Sequence, residues 1–210
     1  MSFKTDMSTS EDLAQNPTET DKVSVGFLLS GGGRTLENLL SSIEEQQIPA
    51  RIDLVIASKD RIGGINKAKS AGILTQVHPC RDPQDSEAIF KSLETAGCEL
   101  AILGGWLRKL AIPAAWENRV INIHPSLLPR HGGKGCYGEK VHRKVLESGD
   151  ERSGCTVHFV DNHYDRGPII LQEEVPVLPG DDADTLAARV FEAEKVALPK
   201  AVAELVRGDL

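Results

Sequence analysis

Residues 23–46 read VSVGFLLSGGGRTLENLLSSIEEQ, which is an apolar run, a glycine-rich loop and an amphipathic segment in direct succession. The run 23–29 is almost continuously apolar, as is typical of a strand that is buried on both faces of a parallel sheet. Apolar residues then recur at helical spacing over 35–46. This succession predicts the first strand–loop–helix unit of an α/β fold.

The same alternation of strand and helix continues along the chain. The predicted strands are 23–29, 52–57, 74–77, 99–103, 119–123, 155–160 and 169–177. The predicted helices are 35–46, 62–71, 86–96, 139–147 and 184–206. Because strands that alternate with helices pair in parallel, we expect an open, mostly parallel, Rossmann-like sheet with helices on both faces. The last two strands have no helix between them, so they predict a C-terminal antiparallel strand pair, which a long C-terminal helix follows.

The extent of the folded part follows from composition. A chain of 210 residues with 40% apolar content can bury one sizeable core, so we expect residues 23–210 to form a single domain. Residues 1–22 are polar and lack the basic start and apolar centre of a secretory signal, so we expect a disordered leader there. No stretch reaches the ~18 apolar residues of a membrane-spanning helix, so we expect no membrane partner.

Charge and cysteine content narrow the class of protein. The formal net charge is −7 and no basic cluster interrupts it, which argues against a nucleic-acid partner. The four cysteines lie far apart, as expected of reduced thiols in the cytoplasm. A zinc site is the alternative, but the ligand spacing matches no standard zinc pattern, so we predict no metal. The residues of that alternative site are Cys136, His142, Cys155 and His158.

The glycine-rich loop 30–35 predicts an anion site. Glycines let backbone N–H groups approach a ligand, and the start of the following helix favours negative charge. The loop lacks the ending of a Walker A motif and the third glycine of a dinucleotide fingerprint, so we expect a phosphate monoester. The alternative is a tight strand-to-helix turn without a ligand. The candidate binding residues are Gly31, Gly32, Gly33, Arg34 and Thr35.

Three polar residues near predicted strand ends form the candidate catalytic group. Asn122 and His124 flank one residue, so on an extended chain their side chains share a face. Asp165 lies in the turn between the last two predicted strands. Asn donates to an oxyanion, His carries a proton, and Asp orients the His or relays the proton, which suits acyl transfer without a covalent intermediate. The alternative for His124 is an ordinary core or capping histidine.

The remaining histidines have less specific settings. His158 lies in an alternating strand pattern, and we expect it to be a hydrogen-bonded strand residue that supports the site. We expect His131, His142 and His163 to be exposed residues of loops or of a helix.

Four segments together carry a resemblance to a known family. They are 30–36, 103–108, 122–129 (which reads NIHPSLLP) and 153–172. With these segments the chain strongly resembles the phosphoribosylglycinamide formyltransferases of purine synthesis, over residues 22–210. The NIHPSLLP string is typical of the wider formyltransferase superfamily, and the length favours the glycinamide ribonucleotide branch.

The resemblance implies a reaction and a catalytic trio. A formyl group is expected to pass from 10-formyltetrahydrofolate, a co-substrate, to the amine of the glycinamide ribonucleotide by direct attack and without metal. Asn122, His124 and Asp165 match the catalytic trio of the family. Asn122 and a protonated His124 are expected to stabilise the oxyanion, and Asp165 is expected to hold His124.

The resemblance also implies the binding residues. The loop 31–35 is expected to hold the ribonucleotide phosphate, and Glu194 the glycinamide end; without the resemblance, Glu194 would be a solvated charge. The segments 103–110 and 160–165 are expected to enclose the pterin, largely through backbone groups. The expected folate-binding residues are Leu107, Arg108, Lys109, Leu110, Asn122, Val160 and Asp165.

The chain departs from the family pattern at two places. Arg34 and Thr35 stand where the family usually has Ser/Thr-Asn, so an extra guanidinium either strengthens phosphate binding or indicates a changed substrate. The glycine-rich stretch after Pro129 is longer than usual, and its glycine content is typical of a mobile lid.

Other functions stay open beside this one. They are hydrolysis of formyltetrahydrofolate, formylation of another amine such as methionyl-tRNA, and phosphate or folate binding without catalysis. The hydrolase normally carries an added N-terminal domain and the tRNA enzyme an added C-terminal domain, and the intact trio argues against a non-catalytic module. The expected partners are small-molecule substrates, with a monomer or a homodimer both open.

Overall fold

The computed structural model describes residues 22–208. Apart from Lys22, the leader predicted over 1–22 therefore lies outside the described residues. The strands are β1 Val23–Leu29, β2 Ala50–Ala57, β3 Leu74–Val77, β4 Leu100–Leu103, β5 Val120–His124, β6 Arg152–Phe159 and β7 Ile169–Pro176. The α-helices are α1 Arg34–Glu45, α2 Gly63–Ser70, α3 Ser86–Thr95, α4 Glu139–Glu147 and α5 Ala183–Arg207.

The strands form one sheet in the order β3-β2-β1-β4-β5-β6-β7. The pairs from β3 to β5 are parallel, whereas β6 pairs antiparallel with both β5 and β7. This arrangement confirms the predicted sheet, its C-terminal antiparallel pair and the long last helix. The boundary that differs most is the start of β6, which lies at Arg152 rather than at 155, because Arg152, Ser153 and Gly154 continue the ladder to β7.

Two hydrophobic layers cover the sheet, one on each face. Neighbouring residues of β1 lie in different layers. Phe27 packs in the layer formed with α1, α2 and α5, and Leu28 packs in the layer formed with α3. Phe27, Leu28 and the indole of Trp116 are fully buried. Each large apolar side chain that is buried in this way stabilises the fold by about 1.5–3 kcal/mol. The two layers confirm the prediction that helices lie on both faces.

The last helix, α5, has a well-defined start and end. The Asp182 carboxylate accepts a hydrogen bond from the Thr185 backbone N–H at 2.8 Å, and the Thr185 hydroxyl accepts one from the Asp182 N–H at 2.9 Å. This reciprocal cap satisfies two backbone donors at the helix start. Gly208, in the left-handed conformation, ends the helix. The buried face of α5 packs against β6 and β7 and so brings its middle turns toward the sheet.

The strand order determines where a ligand site forms. The chain leaves β1 in one direction for β2 and returns for β4 on its other side, so loops diverge at the carboxyl ends of β1 and β4. Ligands of open α/β sheets bind in such a crevice. The antiparallel register of β5 and β6 places Asn122 directly opposite His158 at the same edge. Within residues 22–208, no helix has the length and apolar character needed to cross a membrane.

Candidate active site

A cavity of about 460 Å³ opens at the carboxyl ends of β1, β4 and β5. Its wall is made by the loop after β1, the segments 103–110 and 160–165, the end of β5, the glycine-rich loop and one side of α5. Most residues predicted for the site line this cavity, whereas Gly32 and Gly33 do not. Those that line it are Gly31, Arg34, Thr35, Leu107, Arg108, Lys109, Leu110, Asn122, His124, Val160, Asp165 and Glu194.

The side-chain amide of Asn122 is oriented by His158. The Nδ1 of His158 donates to the carbonyl oxygen of Phe159 at 2.7 Å, so in the neutral ring Nε2 carries the lone pair. That Nε2 lies 3.1 Å from Nδ2 of Asn122 and accepts its hydrogen bond. Burial lowers the pKa of His158 and keeps the ring neutral. The second amide N–H of Asn122 is left available toward the cavity, which agrees with the supporting role predicted for His158.

His124 ends β5 and is buried, with its side chain 5% exposed. Its Nε2 lies 3.1 Å from the carbonyl oxygen of His131. Because a carbonyl only accepts, Nε2 carries the proton in the neutral ring and Nδ1 carries the lone pair. Burial lowers the pKa of His124, although the nearby Asp165 carboxylate partly offsets that effect. The free enzyme therefore holds His124 neutral near pH 7, and the protonated imidazole that we expect beside the oxyanion stays a prediction.

Asp165 faces both histidines without a hydrogen bond to either. Its Oδ2 lies 3.8 Å from Nδ1 of His124, and its Oδ1 lies 3.8 Å from Nε2 of His158. These separations exceed hydrogen-bond length, so Asp165 makes no direct hydrogen bond to His124 in this structure, and its predicted hold on His124 stays a prediction. The carboxylate acts on His124 through charge, and its side chain is 14% exposed.

The backbone around Asp165 is held in an uncommon conformation. Asp165 itself has a φ of 52°, in the left-handed region. Its Oδ2 accepts a hydrogen bond from the Gly133 N–H at 2.8 Å, which joins the turn to the glycine-rich loop. A side chain at Gly167 would place its Cβ 1.9 Å from the Phe159 carbonyl oxygen, so only glycine lets the turn pack against β6. These contacts aim the carboxylate at His124.

The loop after β1 presents free backbone donors at the start of α1. Gly33 precedes the helix in the left-handed conformation (φ 75°), and a Cβ at Gly33 would lie 2.7 Å from Cα of Gly64. Glycine is therefore required at position 33, because of the positive φ and because a Cβ has no room there. No side chain caps α1, so its first N–H groups are available to an anion. Gly31 and Thr35 line the cavity beside them.

The side chain of Arg34 contacts α5, although much of it is exposed. Its guanidinium lies 4.3 Å from the ring centroid of Phe191 on α5, which is a cation–π contact. Both residues line the cavity. The guanidinium also acts on Glu194 of the same helix and favours its charged form. The departure from the family pattern at Arg34 thus lies inside the site.

Glu194 is a partly buried carboxyl on the cavity side of α5. Burial raises its pKa to about 7, and the Arg34 charge only partly offsets that rise. Near neutral pH the group therefore exists in both protonation states. A solvated surface charge would not show this shift, so the cavity position of Glu194 agrees with the role that the resemblance implied.

Replacing Glu194 with glutamine is expected to stabilise the protein at pH 8 but not at pH 4. The folded-state pKa lies above the ordinary value of 4.5, so wild type loses stability as the pH rises between 4.5 and about 7. That loss is up to about 3 kcal/mol, and glutamine cannot ionise. Urea unfolding at both pH values measures the difference. Glu192→Gln, on the exposed side of α5, is the control, and equal pH dependence in the two variants would contradict the burial of Glu194.

The two segments expected to enclose a pterin are joined by hydrogen bonds. The Leu107 N–H donates to the Ser30 hydroxyl at 3.0 Å, which fixes the segment after β4 to the loop after β1. The Ile112 N–H donates to Oδ1 of Asn162 at 2.9 Å. Lys109 lies 5.2 Å from the ring centroid of Tyr164 across the opening. These contacts fix the distance between the segments 103–110 and 160–165.

Two histidines that we expected to be exposed are not. His142 is 5% exposed and lines the cavity, and its Nδ1 has no hydrogen-bond partner among the described residues. Burial lowers its pKa. His131 has a side chain that is 14% exposed and bonds to Asp150. Only His163 is exposed as predicted. The spacing of His142 with the buried Val141 and Val145 on α4 was the signal that indicated burial.

Of the four residues considered as a zinc site, Cys136, His142 and His158 line the cavity, whereas Cys155 lies in the hydrophobic core. Cys155 is fully buried in β6, and burial raises the pKa of its thiol to about 12. Cys136 accepts a hydrogen bond from Nζ of Lys144 at 3.0 Å. In the part of the chain that the structure describes, no three His, Cys, Asp or Glu side chains are grouped as metal ligands.

Comparison with known proteins gives a family and several relatives. Residues 23–202 match the family model described as formyl transferase. The chain is 42% identical over 201 residues to the trifunctional purine biosynthetic protein adenosine-3 of Gallus gallus, which covers 92% of this chain and 19% of that protein. It is 36% identical over 190 residues to the chloroplastic phosphoribosylglycinamide formyltransferase of Vigna unguiculata, covering 88% of this chain and 60% of that protein. The chain thus spans less than two thirds of either relative.

Among solved structures, glycinamide ribonucleotide transformylase 1 from Symbiobacterium toebii is similar in fold and sequence. The TM-score is 0.83 and the identity is 35%, over 90% of this chain and 89% of that one. The similarity therefore extends over nearly the whole of both chains.

Proposed function

The chain belongs to the formyl transferase family, and from this membership and the geometry of its cavity we propose that it transfers the formyl group of 10-formyltetrahydrofolate to the amine of phosphoribosylglycinamide, a step of purine biosynthesis. One observation carries the proposal. An oriented amide donor (Asn122), a neutral imidazole (His124) and a partly buried carboxylate (Asp165) face one cavity, which also contains the uncapped start of α1.

The neutral state of His124 suits the first step of direct transfer. As the substrate amine attacks the formyl carbon, Nδ1 of His124 accepts a proton from it. The resulting imidazolium lies beside the Asp165 carboxylate, which stabilises the new positive charge. The same proton then moves from His124 to the folate nitrogen as its bond to the formyl carbon breaks. One C–N bond forms, one breaks, and the proton ends on the leaving nitrogen.

Asn122 stabilises the charge that develops on the formyl oxygen. Its second amide N–H is directed to the cavity because the first is held by His158. A donor that is oriented before the reaction costs no reorganisation in the transition state. His158 is thus a positioning residue for Asn122 in this proposal.

The ribonucleotide and the folate occupy different walls of the cavity. The phosphate binds the backbone N–H groups of the loop 31–35 at the start of α1. Glu194 contacts the glycinamide end, where its carboxylate form accepts a hydrogen bond from the neutral amine and leaves the amine lone pair free to attack. The folate ring lies against the segments 107–110 and 160–165, which supply backbone donors and acceptors and the apolar side chain of Leu110. Both substrates are small molecules.

Assay of formyl transfer in the presence and absence of phosphoribosylglycinamide tests the proposal. We expect folate consumption to depend on the ribonucleotide and to match formation of the formylated product. Equal consumption without an acceptor would instead indicate a hydrolase. Consumption that requires a different amine would indicate another transferase, and folate binding without turnover a non-catalytic module.

Replacing Arg34 with alanine is expected to raise the KM for the ribonucleotide about tenfold and to leave the KM for the folate unchanged. A charge-assisted contact to phosphate is worth about 1.5–3 kcal/mol, and a remote phosphate mainly contributes uniform binding. Steady-state kinetics with each substrate varied in turn measures both constants. Arg61→Ala, at an exposed side chain, is the control. An unchanged KM for the ribonucleotide would limit Arg34 to its contact with Phe191.

A further inference from the structure

Asp150 lies in the turn between α4 and β6 and binds two residues of another turn. Its carboxylate accepts a hydrogen bond from Nε2 of His131 at 2.7 Å and also pairs with the guanidinium of Arg130. The Asp150 side chain is 9% exposed. The bond from His131, together with the charge of Arg130, lowers the pKa of Asp150. The carboxylate is therefore charged and fixed in position at neutral pH.

The turn that Asp150 binds supplies the hydrogen-bond acceptor of His124. His131 has a φ of 54°, in the left-handed region, which a residue with a Cβ rarely adopts unless its neighbours stabilise it. Its side chain is anchored by Asp150, and the preceding residue is anchored where the Ser126 hydroxyl donates to the Arg130 carbonyl at 2.7 Å. In this conformation the His131 carbonyl points at Nε2 of His124.

The His131 carbonyl decides which nitrogen of His124 carries the proton. Alone, the Asp165 carboxylate 3.8 Å from Nδ1 favours the tautomer with the proton on Nδ1. The His131 carbonyl, 3.1 Å from Nε2, favours the other tautomer, because it can only accept. The second tautomer leaves Nδ1 free to take a proton in the cavity, whereas the first blocks it.

We propose that Asp150 is a positioning residue for formyl transfer: through His131, it holds the carbonyl that keeps the proton of His124 on Nε2. Asp150 and His131 do not line the active-site cavity but line a separate cavity of about 360 Å³. Asp150 therefore acts on the reaction through His131 rather than by contact with substrate. The kinetic part of this inference rests on the proposed function, whereas the tautomer of His124 is measured without turnover.

Replacing Asp150 with alanine is expected to shift His124 toward the Nδ1–H tautomer and to lower kcat roughly 10- to 100-fold, as a misplaced reacting group does. Long-range ¹⁵N–¹H NMR of the imidazoles distinguishes a protonated ring nitrogen from one with a lone pair. Asp150→Asn keeps an oxygen that accepts from His131, so we expect it to restore the tautomer and most of kcat. The KM of both substrates should not change in either variant.

Two further variants keep the test decisive. Glu151→Ala removes the neighbouring carboxylate, which lines the same cavity as Asp150, and should change neither readout. His131→Gly still allows the left-handed conformation but loses the side chain that Asp150 binds, so we expect the same effect as in Asp150→Ala. If Asp150→Ala fails to fold, His131→Gly takes its place. An unchanged tautomer, or an unchanged kcat with a shifted tautomer, would overturn the inference. If the wild-type protein shows no formyl transfer, the proposed function fails, and the tautomer alone still decides the role of Asp150.

Discussion

Asp165→Asn is expected to fold as wild type does and to lose about 10²–10⁴-fold in kcat. Asparagine has the same size, and its amide oxygen can accept the hydrogen bond that the Gly133 N–H donates to Oδ2. Asparagine lacks the charge, however, that stabilises an imidazolium at His124. The variant therefore separates the electrostatic role of Asp165 from its structural one.

The expected size of the loss follows from the distance between the two groups. Nδ1 of His124 and Oδ2 of Asp165 are 3.8 Å apart. At an effective dielectric constant of about 20, a full charge pair at this distance attracts by about 4 kcal/mol. About 1.4 kcal/mol corresponds to a tenfold change in rate, so the charge is worth roughly a thousandfold if the imidazolium forms in the transition state.

Single-turnover rates at saturating substrates measure this effect without product release. Glu174→Gln makes the same chemical change at an exposed carboxylate on β7, and it should leave the rate unchanged. Thermal unfolding of both variants verifies that the fold is retained. A rate for Asp165→Asn close to that of wild type would mean that no positive charge develops on His124.

The fold was predictable from the sequence because its signals are local. The apolar run of β1, the glycine loop and the amphipathic α1 follow one another without interruption, and parallel pairing follows from alternation. The family prediction, which rested on short strings such as NIHPSLLP, is confirmed by the match over residues 23–202. Placement of Asn122 and His124 at a strand end was predictable for the same reason, because a strand alternates its faces.

The protonation states of the site were not predictable, because they depend on contacts between distant segments. His124 is neutral owing to burial and takes its tautomer from a carbonyl seven residues away. His131 has an ordered side chain because Asp150, beyond α4, binds it. Glu194 has a raised pKa because α5 packs against the sheet and buries it beside Arg34. Each is a result of tertiary packing, which residue type and spacing do not encode.

His124→Ala is expected to lower kcat by about 10²–10⁴-fold, since it removes the group that moves the proton from the amine to the folate nitrogen. The KM of the ribonucleotide should change little, because its phosphate and its glycinamide end are held at the loop 31–35 and at Glu194. His78→Ala, at a half-buried histidine just after β3 and outside the cavity, is the control.

The His124→Ala variant also identifies the NMR signal from which the pKa of His124 is measured in wild type. The ring signal that disappears in His124→Ala belongs to His124, and we expect its pKa in the free enzyme to lie below the ordinary 6.5, because burial disfavours the charged ring. The sign matters for the mechanism. A pKa below 6.5 means that Nδ1 enters the reaction unprotonated and takes the proton from the amine. A pKa well above 7 would mean that Asp165 outweighs burial, and His124 would then begin as an acid that donates to the formyl oxygen beside Asn122.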